Sequence, residues 1–134
     1  MGEIFGVGID QIKIPRVLKA CQKDTFLEKY YSERERELFQ KRHSRTATNF
    51  VGKEAVVKAF GTGFSEGISP RDVQILRRDN GAPYVELTGE ALRWAQDRQI
   101  SKIHISLTDT EEYAGAFVVA EREVSNEDQW ADII

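Results

Sequence analysis

Val73-Gln74-Ile75-Leu76-Arg77-Arg78-Asp79-Asn80-Gly81-Ala82-Pro83-Tyr84-Val85-Glu86-Leu87 reads as two short strands folded back on each other. The runs at 73–76 and 84–87 are rich in β-branched, aromatic and apolar residues, and Asp79-Asn80-Gly81 between them tolerates the positive φ that a tight hairpin requires. Just downstream, Thr88 has the chemistry of an N-cap, and Glu90, Ala91, Leu92, Trp94 and Ala95 continue as a helix to about Gln99. Two more strands are predicted over residues 102–108 and 113–120. Upstream the pattern changes. Residues 15–60 are helical in period, interrupted near residues 23–25, and Ser32 followed three residues later by Glu35 forms a candidate capping box. Before them, residues 4–14 read as a strand in which Phe5, Val7 and Ile9 alternate with small or polar neighbours, and Pro15 opens the first helix. Strands and helices therefore cluster and do not alternate as βαβ units. This favours an α+β fold, with a helical N-terminal half packed on a mainly antiparallel sheet, over a doubly wound one.

A chain of 134 residues suits one domain with an adequate core, which we place at residues 1–123, leaving an acidic, frayed tail at 124–134. The single cysteine, Cys21, excludes an internal disulfide, and no Cys/His cluster offers ligands to zinc. Without a long apolar run or a signal-peptide pattern, the expectation is a cytoplasmic protein with no membrane partner. A net charge of −3 gives no general attraction to nucleic acid. That sum conceals an asymmetry: residues 11–45 hold ten Lys/Arg and five Asp/Glu, so of 19 and 22 in all the remainder holds nine and seventeen. A basic segment on an acidic chain suits docking of an acidic partner, and a solvated helical face is the plainer alternative.

The helical stretch 47–60 contains an anomaly. On a wheel of about 100° per residue, Ala47, Phe50, Val51, Ala55, Val57 and Ala59 share a broad arc, with Glu54 and Lys58 at its middle. An i,i+4 ion pair contributes roughly 0.2–0.5 kcal/mol, whereas removing two charges from water costs several kcal/mol per ion. A divalent cation on Glu54 and a phosphate on Lys58 would compensate, with a snorkelling surface pair as the alternative. Asp10, at the downstream end of the first strand, offers a second carboxylate, and Gly8 beside it permits close approach of a backbone or ligand. Gly61-Thr62-Gly63 ends the helix, and its backbone N–H groups are candidate phosphate donors. Alternation puts His104, Ser106 and Thr108 on one face of the next-to-last strand, a candidate ligand wall. No spacing suggests a Ser/His/Asp triad, and Cys21 has no compelling partner.

Gly8-Ile9-Asp10, the block from Phe50-Val51-Gly52-Lys53-Glu54-Ala55 through Lys58-Ala59-Phe60-Gly61-Thr62-Gly63, and His104-Ile105-Ser106-Leu107-Thr108 together resemble the three signatures of bacterial holo-acyl-carrier-protein synthases, the 4′-phosphopantetheinyl transferases. The resemblance spans roughly residues 4–123. It implies the phosphopantetheinyl transferase fold and transfer of the phosphopantetheine arm of coenzyme A to a serine of apo-acyl carrier protein. It also implies Mg²⁺ held by Asp10 and Glu54, with Lys58 reaching the pyrophosphate, so that Asp10, Glu54 and Lys58 are the candidate catalytic residues. Gly61 and Pro83 match positions lining the nucleotide site, and Thr62, Gly63, His104, Thr108 and Asp109 join Lys58 as candidate coenzyme A contacts. The base for the serine proton stays open between Glu54 and a water on the cation. By the same resemblance the protein is a homotrimer with interface sites, and Arg16, Lys19 and Lys23 dock the acidic carrier. Three departures stand out. Asp24 and Thr25 replace basic residues, Asn49 stands where arginine is common, and Asp109 stands where a second histidine is common. The last two weaken the expected grip on the 3′-phosphate unless Arg42, Arg45 or another cation intervenes. The competing readings are a metal-dependent nucleotide pyrophosphohydrolase and an inactive carrier-binding module.

Overall fold

The computed structural model describes residues 2–124, so the expected tail lies outside the described residues except for Val124. The chain opens with β1 (Gly2–Lys13) and passes directly into α1 (Ile14–Ala20). Pro15 occupies the first turn of α1, where a missing N–H leaves no helical bond unmade. Three helices follow, α2 (Asp24–Tyr30), α3 (Glu33–Lys41) and α4 (Arg45–Phe60). The break predicted near residues 23–25 falls slightly earlier, at residues 21–23, and further breaks fall at Tyr31-Ser32 and at residues 42–44. The capping box forms as expected, with Glu35 N–H donating to Ser32 Oγ at 3.2 Å and Ser32 N–H donating to Glu35 Oε1 at 3.1 Å.

A short 3₁₀ turn, Pro70–Asp72, leads into the hairpin of β2 (Val73–Arg77) and β3 (Pro83–Leu87), registered from Val73 opposite Leu87 to Arg77 opposite Pro83. Gly81 takes φ +89° in the connecting turn, as the Asp-Asn-Gly run requires. The last helix, α5 (Gly89–Asp97), has Thr88 at its N-cap position, but the threonine hydroxyl donates to Asp72 Oδ1 at 3.0 Å and does not cap the helix. β4 (Ile100–Asp109) and β5 (Tyr113–Glu123) close the fold and run longer than predicted. Pairing is antiparallel throughout: β1-β5-β4 form a three-stranded sheet, and β2-β3 a separate two-stranded one. The architecture is therefore α+β.

The helix α4 lies across the inner face of the three-stranded sheet and also touches α1, α3 and β2. Small residues let it come close. Ala114, Ala116 and Ala120 point inward from β5, and a Cβ added at Gly8 would sit 2.0 Å from the carbonyl oxygen of Ala55. At Gly6 the same construction meets the Ala59 carbonyl oxygen at 2.0 Å, so β1 runs flush against the helix backbone only because both positions lack a side chain. The outer face of the sheet is uncovered in the single chain: Val7 and Ile9 of β1 and Phe117 of β5 are 56%, 68% and 46% exposed. Among the described residues, no helix is long and apolar enough to cross a membrane.

Candidate active site

Enclosure of α4 decides which of its residues reach solvent. Twelve of its sixteen residues are buried, and the line Phe50, Glu54, Lys58, each one turn from the next, stays open. The two charges thus lie on the helix's one accessible strip, not at the centre of a buried arc. The i,i+4 pair between them, the alternative to a cation and a phosphate, is absent as well. Lys58 Nζ donates to Asp10 Oδ1 at 2.9 Å and to the Ile9 carbonyl at 3.1 Å, while Glu54 Oε1 accepts a 2.7 Å hydrogen bond from the Tyr30 hydroxyl. The lysine side chain is half-exposed, whereas Asp10 keeps 19% of its surface. Asp10 reaches the helix because Gly6 and Gly8 allow β1 to approach it; the ligand named as an alternative neighbour of Gly8 is thus a helix backbone.

Asp10 and Lys58 open onto a cleft of about 550 Å³, walled on the other side by Ser106 and Thr108 of β4 and floored by Gly115, Ala116 and Phe117 of β5. The predicted polar face of β4 is present: His104, Ser106 and Thr108 stand opposite Val119, Phe117 and Gly115. His104 lies beyond the cleft, with Nε2 3.2 Å from Glu121 Oε2. Asp109 is exposed at the end of β4 and does not line the cleft either. Gly61, at φ +82°, ends α4, and the N–H groups of Gly61, Thr62 and Gly63 all donate to the Val57 carbonyl at 3.0–3.2 Å. Those three N–H groups are therefore engaged in capping and do not form the phosphate cradle considered from sequence. Pro83 lies away from the cleft, on the β2-β3 hairpin.

A second polar group was missed in the sequence. Lys53, fully buried, donates to Glu35 Oε1 at 2.5 Å and to the carbonyls of Val73 at 2.7 Å and Pro70 at 2.8 Å, which employs all three ammonium hydrogens. Glu35 also accepts from the Ser32 and Ile75 N–H groups and from Asn49 Nδ2. Burial pushes the Glu35 carboxyl up and the Lys53 ammonium down, and each partner pulls the other back toward its charged form. Three acceptors on the lysine and four donors on the carboxylate fit the ionised pair. Asn49, read from sequence as facing the nucleotide, is wholly buried and bonds Glu35 and the Ile75 carbonyl, so it cannot touch a ligand. Beside it, Arg77 donates to Thr48 Oγ1 at 3.3 Å, and burial first, then the neighbouring Arg45, lower its guanidinium to about 10. One signal for the network was available: a lysine directly before Glu54 in the run 50–60, whose other residues apart from Lys58 are apolar or small.

Residues 6–118 match the family model of the 4′-phosphopantetheinyl transferase superfamily. The chain belongs to that superfamily. Among its members, the holo-(acyl-carrier-protein) synthase of Lachnoclostridium phytofermentans is 47% identical over 118 residues, 88% of this chain and 96% of that protein. The same superfamily supplies the solved structures it resembles. The holo-(acyl-carrier-protein) synthase of Neisseria meningitidis superposes with a TM-score of 0.81 at 28% identity, covering 88% of this chain and 98% of that one. The Helicobacter pylori enzyme, in complex with coenzyme A, gives 0.75 at 30% identity over 85% and 98%. Within this superfamily framework, Asp10, Glu54 and Lys58 lie at the junction of β1 and α4, the junction that Gly6 and Gly8 make possible.

Proposed function

We propose that this chain transfers the 4′-phosphopantetheine arm of coenzyme A to a serine of apo-acyl carrier protein, releasing adenosine 3′,5′-bisphosphate. The observation that carries this proposal is the Asp10–Lys58 pair at a cleft mouth, with Glu54 one helical turn away, in a chain that aligns with holo-(acyl-carrier-protein) synthases over most of its length.

Asp10 and Glu54 supply carboxylate oxygens, the donor type a hard divalent cation takes, and we assign them to Mg²⁺. Among the described residues no cluster of three or more His, Cys, Asp or Glu side chains could hold a metal, so substrate oxygens and water must complete the shell. When bound, the cation supplies neutralisation of pyrophosphate charge. Lys58 has three N–H donors, of which the Ile9 carbonyl and Asp10 engage two, leaving one for a pyrophosphate oxygen. In the reaction the serine hydroxyl gives its proton to Glu54 or to a water as its oxygen bonds to the β-phosphorus, the bridging P–O bond breaks toward the adenosine bisphosphate, and Lys58 offsets the charge that grows there. Thr108 and Ser106 form the opposite wall.

Gly61, Thr62, Gly63, Pro83, His104 and Asp109 lie outside the cleft of one chain. We assign them to a site completed between copies, in a homotrimer built on the uncovered face of the β1-β5-β4 sheet. Two of the exposed apolar residues of that face, Ile9 and Phe117, also line the cleft, which supports a site at the interface. Arg16 and Lys19 on α1, together with Lys23 before α2, are exposed, as docking of an acidic carrier needs.

The test is incubation with coenzyme A, Mg²⁺ and an apo-carrier protein, read by mass spectrometry. The carrier should gain the phosphopantetheine mass only when all three are present. Coenzyme A cleaved with no carrier modified would favour the pyrophosphohydrolase, and no turnover at all would favour the binding module.

A further inference from the structure

The geometry points to Tyr30 as a positioning residue that holds the Glu54 carboxylate in one orientation and leaves Oε2 for the cation. The inference rests on the assignment of Glu54 to a divalent cation. Glu54 projects from the open strip of α4, and a glutamate there would sample several rotamers. Lys58, one helical turn along, is committed to Asp10. Among the described residues, the side-chain hydrogen bond that reaches Glu54 comes from Tyr30, 2.7 Å away and 24 residues earlier in the chain.

The tyrosine is itself fixed. Its ring stacks on Phe50 with centroids 4.8 Å apart and planes 13° from parallel, and on Phe26 at 5.1 Å and 16°, while Phe64 meets it edge-on at 5.9 Å. An aromatic clamp drawn from α2, α4 and the following loop thus orients one hydroxyl at one carboxylate oxygen. Two hydrogens are not available to a phenol, so the bond selects a single oxygen and the other stays open. Such partners orient ligands without touching the metal, and removing one typically lowers metal affinity or activity by about 10–100-fold.

Tyr30→Phe deletes the hydroxyl and keeps the stacked ring. The full-length variant and the wild type are titrated with Mn²⁺ in the presence of coenzyme A, with free Mn²⁺ followed by electron paramagnetic resonance. Transfer to the carrier is measured in parallel across Mn²⁺ concentrations, and the metal-free melting temperature is recorded. The expected result is Mn²⁺ binding weakened by about 10–100-fold. The metal-free melting temperature should stay within about 2 °C and kcat at saturating Mn²⁺ within about threefold, so that the loss appears as KM for metal. Equal Mn²⁺ affinity in the two proteins overturns the inference, and transfer by the wild type then still stands. Weaker binding accompanied by a clearly lowered metal-free melting temperature also overturns it, since the tyrosine then acts through the fold. A wild type that transfers the arm but binds no Mn²⁺ overturns both this inference and the metal assignment, without touching the transfer reaction.

Discussion

Replacing Lys53 by methionine should cost the fold more than any change at its exposed neighbour Lys58. Methionine approximates the volume of the lysine stem, so the loss is electrostatic and not a cavity. Three N–H···O bonds disappear, those to Glu35, Pro70 and Val73, and Glu35 is left buried with only neutral donors from Ser32, Asn49 and Ile75. Breaking a buried pair by removing one partner costs about 3–5 kcal/mol. At roughly 4 °C per kcal/mol for a chain of this size, the melting temperature should fall by about 12–20 °C. The pH dependence gives a second signature. Burial already raises the Glu35 carboxyl, and without Lys53 the opposing pull is gone, so its folded value lies above its unfolded one. A carboxyl raised on folding favours the native state at pH below the unfolded value and loses that contribution as pH rises through the folded one. Lys53→Met should therefore be less destabilised at pH 5 than at pH 8. Urea unfolding of both proteins at the two values measures the difference. A loss under about 1 kcal/mol at pH 8, or one independent of pH, would refute the ionised-pair account.

Gly8→Ala should destabilise the chain by roughly 1–3 kcal/mol or more, because the new methyl would meet the Ala55 carbonyl at 2.0 Å and neither backbone can yield cheaply. Transfer activity should fall further than stability as Asp10 moves from Lys58; full activity in a folded Gly8→Ala protein would contradict the close-approach role of the glycine. Burial, above all, raises the Tyr31 phenol well beyond its usual range, so above pH ~10 the unfolded chain loses a proton the native one keeps, and stability falls as pH rises. Tyr31→Phe should shallow that decline by about 1.4 kcal/mol per pH unit, as urea titrations at pH 9 to 11 would show. If the proposed homotrimer forms on the uncovered sheet face, Phe117→Asp should yield monomers by sedimentation and abolish transfer while leaving the monomer folded; a trimer that persists would move the interface elsewhere. With Asn49 buried, the expected weak preference for coenzyme A over its 3′-dephospho form rests on Asp109 alone. The ratio of kcat/KM for the two donors should rise in Asp109→His, and a strong preference in the unaltered protein would rule out the weakened grip.

Local signals were legible where a local rule decides the structure. Asp79-Asn80-Gly81 makes the turn of the hairpin, Ser32 and Glu35 make a capping box, and alternation puts His104, Ser106 and Thr108 on one face. The α4 anomaly was real but was placed on the wrong residues. A helical wheel assumes one buried face and one wet face, whereas α4 is enclosed by the three-stranded sheet, α1, α3 and β2, so its charge problem sits at Lys53 and its accessible strip at Glu54 and Lys58. Glu35 concealed its second role for a related reason: the capping box already accounted for its charge, and nothing local shows that the same carboxylate also anchors Lys53, Asn49 and the Ile75 N–H. The contacts that position the candidate catalytic side chains are longer-ranged still, 48 residues for Asp10 to Lys58 and 24 for Tyr30 to Glu54. Pattern within a segment can propose a carboxylate and a lysine, but which of them pair depends on how closely a strand can approach a helix. In this chain, the absence of side chains at Gly6 and Gly8 settles that approach, and the Asp10–Lys58 pair follows from it.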